Sequence, residues 1–266
     1  PGPELLTTVD ERARLLAGAG VDVLLVITFD ERVATTAFDD FVRDVLLDRL
    51  GMCHFVLGHD VHFGRGRGGN AHSVRTMAAH AHFTTEEVAS TTLDGAPVSS
   101  TRIRHALSEG DLATAIRLFG HPYLIAGPVV RGRGLGRQLG FATANVALDP
   151  RRLRPALGVY GGWARWEGTD WIPAVANVGR GPTVAPDDPP RVEIHLPGRE
   201  VDLYDRPVEL AVAARIRPER RFDGLEELRA AIGSDVESLP ARLEAVPPEG
   251  RPERIEDLLG PGPSTG

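Results

Sequence analysis

The hydrophobic residues of this chain change period near Leu118, and the change divides the sequence into two folds. Downstream, Val208, Leu210, Val212, Ala214 and Ile216 alternate with Glu209, Ala211, Ala213, Arg215 and Arg217. Strict two-residue alternation places successive side chains on opposite faces of a strand and is incompatible with a helix. Val192, Ile194 and Leu196 repeat the pattern against Arg191, Glu193 and His195, and 158–166 and 171–178 are two more strands about the turn Glu167-Gly168-Thr169-Asp170. Short strands punctuated by turns predict a small antiparallel barrel or sandwich, closed by a helix over 225–232.

Upstream the pattern is helix and strand in alternation. Thr8 and Glu11 have capping-box spacing ahead of the stripe Ala13, Leu15, Leu16 and Ala19. The continuous apolar run Val21–Ile27 has the character of a strand buried on both faces, and His54–Leu57 is a second short strand. Helices are expected after Thr36 and over 73–81. This order predicts an α/β parallel sheet, with too few strands for a complete one. The expected domains are therefore 1–118 and 119–246, followed by a disordered tail over 247–266 that is rich in Pro and Gly. The chain opens Pro1-Gly2-Pro3 without an initiator methionine, which suggests a piece of a longer reading frame or a natural truncation.

Composition narrows the chemistry. All 30 basic residues are arginine, so lysine Schiff bases and lysine-dependent phosphate loops are excluded. Phosphate chemistry must then use arginine, backbone N–H groups, hydroxyls and a metal ion. A net charge of −7 disfavours nucleic acid and anionic membranes as partners, and no apolar run is long enough to span a bilayer. With Cys53 the only cysteine, no disulfide framework or cysteine-rich zinc site can form within the chain, and a cytoplasmic protein acting on small molecules is expected. Six of the nine histidines lie between His54 and His82, without the spacing of a metal site, and 64–69 spells GxGxxG in the wrong place for a dinucleotide fold.

The segment 131–145 carries the strongest signal. Gly132, Gly134, Gly136 and Gly140 let backbone N–H groups approach a phosphate chain, and Arg137 is among the arginines that add charge. Thr143 and Asn145 are two residues apart on an extended segment and so face one way, where they can offer oxygens to Mg2+. Glycine content alone is equally compatible with a flexible loop.

The stretch 136–145 resembles the riboflavin kinase signature G-R-x-L-G-F-P-T-A-N. The likeness continues through Gly158-Val159-Tyr160, Ala176-Asn177-Val178-Gly179, Pro182-Thr183, 193–196, Asp202-Leu203-Tyr204 and 217–222, in family order. It implies a six-stranded antiparallel barrel, Mg-ATP near Thr143 and Asn145, riboflavin against Arg217 and Phe222, Glu193 as general base, and FMN as product. Periodicity alone makes Glu193 an ordinary solvated strand residue. Two positions depart from the family: Ala142 stands for its proline and Asp205 for a glycine.

The first half is similar to the nucleotidyltransferase module of bacterial bifunctional riboflavin kinase/FMN adenylyltransferases (FAD synthetases), through 56–67 and 99–104. Ser99, Ser100, Thr101 and Arg104 would be what remains of its second nucleotide motif, although the same residues make a plain helix cap. The family's opening histidine-containing phosphate site has no counterpart before Val21, so a truncated module that has lost adenylyl transfer is expected. The alternatives are a piece of a full bifunctional enzyme, or a flavin-nucleotide binding protein without turnover. Oligomeric state and donor preference stay open.

Overall fold

In the computed structural model the described residues are 2, 4–132, 136, 139–180 and 190–259. They form two compact units, 24–98 and 1–23 together with 99–266.

In chain order, α1 is Val9–Gly18, α2 Glu31–Thr35, and α3 Phe38–Asp40, which runs into a π-helical stretch Phe41–Leu47. Strand β1 (His54–Gly58) pairs in parallel with β2 (Thr84–Val88), and α4 (Ala71–Ala78) lies between them in sequence. A small hairpin, β3 (Thr92–Leu93) and β4 (Ala96–Pro97), comes next. Val42, Leu57, Val74 and Phe83 form the core of this unit, with Phe38, Phe55 and Phe63 packed against them. The parallel sheet, its first strand and α4 match the expected α/β module. Val21–Ile27 does not: the run has no strand pairing, and Val23 and Val26 are 81% and 61% exposed. Apolar content favours burial, but a strand also needs a neighbour's hydrogen-bond ladder, and this run has none among the described residues.

The second unit contains α5 (Ser100–Glu109) and α6 (Leu112–Phe119), then strands β5 (Tyr123–Val130), β6 (Thr143–Val146), β7 (Gly158–Trp166), β8 (Ile172–Gly179), β9 (Arg191–His195) and β10 (Pro207–Pro218). They close into an antiparallel barrel in the order β10-β5-β6-β9-β8-β7. Closure removes sheet edges, which suits strands this short. Alternation sets the inner face: Val208, Leu210 and Val212 of β10 and Val192 and Ile194 of β9 are all buried. On β10 the alternation fails beyond Val212, because register shifts at Val212/Ala214 and Arg215/Arg217 insert extra residues. Each bulge reverses the facing of the residues beyond it. Ile216 accordingly packs outward, with Leu239 of α7 (Leu225–Glu244). That helix is longer than the expected 225–232 and carries Pro240 inside it.

The compact units divide at residue 98 rather than at the expected 118, and within the expected tail 248–250 and 253–259 are helical, while 260–266 lie outside the described residues. Helix α1 belongs with the barrel. Its capping box forms as read, with Thr8 Oγ1 accepting from Glu11 N at 3.1 Å and Glu11 Oε2 from Thr8 N at 2.8 Å. The same carboxylate meets Arg152, on the β6–β7 connection, at 3.2 Å. After α7 the chain continues as a 3-10 turn (Pro248–Gly250) and α8 (Glu253–Leu259). Ile255 of α8 is 1% exposed against Leu124 and Ala211. Composition rich in Pro and Gly hid this element, which docks through Ile255, through Arg254 Nε donating to the Gly120 carbonyl at 3.3 Å and through the Arg165–Glu256 ion pair at 3.3 Å.

Candidate functional site

Strand β6 lies between β5 and β9, and all four of its residues pair with β9 while Asn145 and Val146 pair with β5 as well. Inner-face Ala144 is directly opposite Ile194, which leaves Thr143 and Asn145 on the outer face, opposite His195 and Glu193. Glu193 in turn is opposite Asn177 on β8, Asn177 opposite Val159 on β7, and Val159 opposite Arg217 on β10. One row across the outer wall therefore runs Asn145, Glu193, Asn177, Val159, Arg217. Residues from five separate sequence blocks are brought into line by register alone. Three strand steps, about 14 Å along the wall, separate Glu193 from Arg217.

The glycines of the 131–140 segment lie against this row. A Cβ at Gly132 would overlap the Asn145 carboxamide, and one at Gly136 would come within 3.1 Å of Thr143 Oγ1. Both positions need the backbone to approach those side chains closely, which only glycine permits. Gly140 has φ +86°, the left-handed region, and turns the chain into β6. Gly134 and Arg137 lie outside the described residues, as do Pro182 and Thr183. A cleft beside this segment is lined by Gly132, Thr143, Asn145, Arg199, Asp202 and Tyr204. Arg131 stacks its guanidinium over the Tyr204 ring at 5.4 Å.

Glu193 is half-buried. Burial pushes its carboxyl above the ordinary carboxylate range, and the charge of Arg191 pulls it partway back. Further along the row, Arg217 is clamped by Asp235 of α7, with Nε to Oδ1 at 2.9 Å and Nη2 to Oδ2 at 2.8 Å. Two guanidiniums stand over the Phe222 ring, Arg217 at 5.5 Å and Arg220 at 4.6 Å from its centroid. The structure thus brings Arg217 and Phe222 together, as the flavin expectation requires, although Asp235 occupies most of the arginine's fork.

Residues 119–243 match the family model described as riboflavin kinase, and residues 1–102 the model described as FAD synthetase. The chain is 41% identical over 236 residues to a bifunctional riboflavin kinase/FMN adenylyltransferase of Pseudomonas fluorescens, covering 89% of this chain and 75% of that protein. The corresponding protein of Escherichia coli (strain K12) is 38% identical, at 88% and 74% coverage. The chain belongs to the bifunctional riboflavin kinase/FMN adenylyltransferase family. A solved structure described as a macrolide-efflux protein from Streptococcus pneumoniae has a similar architecture, with TM-score 0.78 and 28% identity over 88% of this chain and 75% of that one. Among the described residues of this family member, no helix is long and apolar enough to cross a membrane.

The barrel is thus a riboflavin kinase domain, and the two departures from the family signature can be located in it. At Ala142, where the family has proline, the carbonyl accepts from His195 Nδ1 at 2.9 Å, and the Phe141 ring meets that imidazole edge-on at 5.4 Å. His195 thereby fixes a segment that a proline ring would stiffen. Asp205 sits at φ +61°, which explains glycine as the family residue; aspartate is among the few side chains that tolerate this region.

On the FAD synthetase side, Ser99 caps α5 by accepting from Arg102 N at 3.3 Å. Ser100 and Thr101 are exposed in its first turn, and Arg104 Nε donates to the Glu4 carbonyl at 2.8 Å. Asn177, His195, Tyr204 and Asp235 were given no role by sequence reasoning. For Asn177 the signal was present, because it falls within a family block; for Asp235 only the folded helix reveals the contact.

Proposed function

We propose that the barrel makes FMN by in-line transfer of the ATP γ-phosphoryl group to the riboflavin 5′-hydroxyl, with Glu193 as general base. The observation that supports this reading most is the direct opposition of Asn145 and Glu193 in the barrel wall. It sets a carboxylate one strand spacing, about 4.8 Å, from the edge where phosphates would lie. The carboxylate accepts the hydroxyl proton as the new O–P bond forms and the bond to ADP breaks. Burial keeps Glu193 more basic than a solvated glutamate, which brings it nearer the working pH.

The loop carrying Gly132, Gly134, Gly136, Arg137 and Gly140 holds the nucleotide, and Arg217 with Phe222 flanks the flavin. The hydroxyl of Thr143 and the amide oxygen of Asn145 fit Mg2+, a hard cation that keeps water and phosphate oxygens as its other ligands. When bound, the ion neutralises charge on the β- and γ-phosphates. Ser99, Ser100, Thr101 and Arg104 are assigned to the nucleotide motif of the FAD synthetase part. The reaction uses small-molecule substrates of the cytoplasm.

Replacing the base isolates its chemistry. Glu193→Gln should lower kcat by about 10²–10⁴-fold while riboflavin binding, measured by fluorescence quenching, stays nearly unchanged. Wild-type turnover in that variant removes Glu193 from the mechanism.

A further inference from the structure

The proposed transfer puts its substrates along the barrel wall in a fixed order. Phosphates lie at the Thr143–Asn145 edge, the reacting 5′-hydroxyl at Glu193, and the flavin ring at Arg217 and Phe222, three strand steps or about 14 Å from Glu193. The ribityl chain, with its secondary hydroxyls, has to cross the wall between the last two. Part of that way is closed, because Val159 and Val175 are buried under Leu239 and Leu243 of α7. What remains is the side of Asn177 toward Gly179, next to the connection from β10 to α7 that carries both Glu219 and Phe222.

Two polar side chains meet there. Asn177 and Gly179 are two residues apart on β8 and share the outer face. A Cβ at Gly179 would fall 2.8 Å from Asn177 Nδ2 and overlap Glu219 Oε1, so both groups reach into the space that the missing methyl leaves. Glu219 is fixed through its Oε1, which accepts from Arg180 N at 3.2 Å, and among the described residues its Oε2 has no hydrogen-bond partner. The half-buried Asn177 carboxamide has none either. The pair therefore gives the fold no side-chain bond between its members, while together it suits a sugar alcohol. A hydroxyl both accepts and donates, so it can take the amide N–H and give its proton to the carboxylate. Asn177 is one strand step from Glu193, about 4.8 Å, the length of about four carbon–carbon bonds in an extended chain. A chain with its 5′-hydroxyl at Glu193 brings its 2′- and 3′-hydroxyls to this pair.

We propose that Asn177 and Glu219 form the ribityl subsite of the kinase, reading the secondary hydroxyls of the flavin's sugar alcohol across the slot at Gly179. The proposal rests on the reading of Glu193 as the base and of Arg217 and Phe222 as neighbours of the ring. It makes Asn177 and Glu219 specificity residues, which touch the substrate away from the reacting atoms.

The test compares kcat/KM for riboflavin and for its 2′-deoxy and 3′-deoxy analogues, with the full chain and Mg-ATP. Wild type prefers riboflavin over at least one analogue by about 10–100-fold, because the missing hydroxyl leaves its partners unpaired. Asn177→Ala raises KM for riboflavin about tenfold, keeps KM for Mg-ATP within about twofold, and cuts the preference over that analogue below about threefold. Glu219→Ala does the same. Gly179→Ala displaces both groups at once, since the nearest atoms its methyl meets are the side-chain ends of Glu219 and Asn177, and it carries the test if Asn177→Ala fails to fold. A variant that merely loosens the fold weakens all three flavins alike and keeps the preference. Equal kcat/KM for the three flavins in wild type, or an undiminished preference in the folded variants, would overturn the proposal and leave the kinase reading standing. A wild-type chain that forms no FMN from riboflavin overturns that reading and takes this proposal with it.

Discussion

Glu11→Ala removes the counter-ion of the most deeply buried charge in the barrel unit. Arg152 is 2% exposed, and its Nη2 lies 3.2 Å from Glu11 Oε2. Its other contacts are neutral: the carbonyls of Leu5, Leu6 and Leu124, and the Tyr123 ring at 4.8 Å. Removing one partner of a buried pair typically costs about 3–5 kcal/mol, because the remaining charge stays desolvated. The variant also loses the carboxylate half of the α1 capping box, a contribution of about 0.5–1 kcal/mol. One offset exists, since burial already raises the Glu11 carboxyl and its own desolvation is relieved on removal. A net loss of about 4 kcal/mol corresponds to a fall of about 8–16 °C in Tm for a chain of this size. Urea denaturation monitored by far-UV circular dichroism measures it. Replacing both partners, Glu11→Leu with Arg152→Met, should cost less than Glu11→Ala alone, because no charge is then stranded. A loss below about 1 kcal/mol for Glu11→Ala, or a double variant worse than the single, refutes the argument that this ion pair joins α1 to the barrel.

Thr143→Ala should raise the apparent KM for Mg-ATP and move the Mg2+ requirement upward, and superimposable Mg2+ titrations of the two proteins would count against ligation there. Asp205→Val should lower stability by about 1–2 kcal/mol, because a β-branched residue cannot relax at φ +61°, whereas Asp205→Gly should melt at or above wild type. His121 is buried beside Phe119, and burial holds its pKa below the ordinary 6.5. The native state then binds fewer protons than the unfolded one, so stability present above pH 6.5 is lost as pH falls below it, by at most about 1.4 kcal/mol per pH unit. His121→Phe should therefore lose less Tm than wild type between pH 7.5 and 5.5, and parallel losses would show that other groups govern the acid limb.

Hydrophobic period alone reads short antiparallel strands after residue 118 and the first strand of the parallel pair, and it leaves barrel and sandwich open, a choice that the resemblance to riboflavin kinases makes. Alternation in β9 marks Glu193 as off the core whatever its partners are, and the Thr8–Glu11 spacing is a local signal that forms the same cap in the fold. Such features depend on residues within one turn or one strand, so local steric rules suffice to read them. What required tertiary structure was every relation between segments. That Asn145, Glu193, Asn177 and Arg217 share one row is a consequence of strand register, which bulges in β10 shift without leaving a mark in the hydrophobic pattern. The unpaired run Val21–Ile27 and the docked Ile255 make the same point from opposite directions. Apolar character states a preference for burial, but which surface is available to satisfy it is decided only when the rest of the chain has folded.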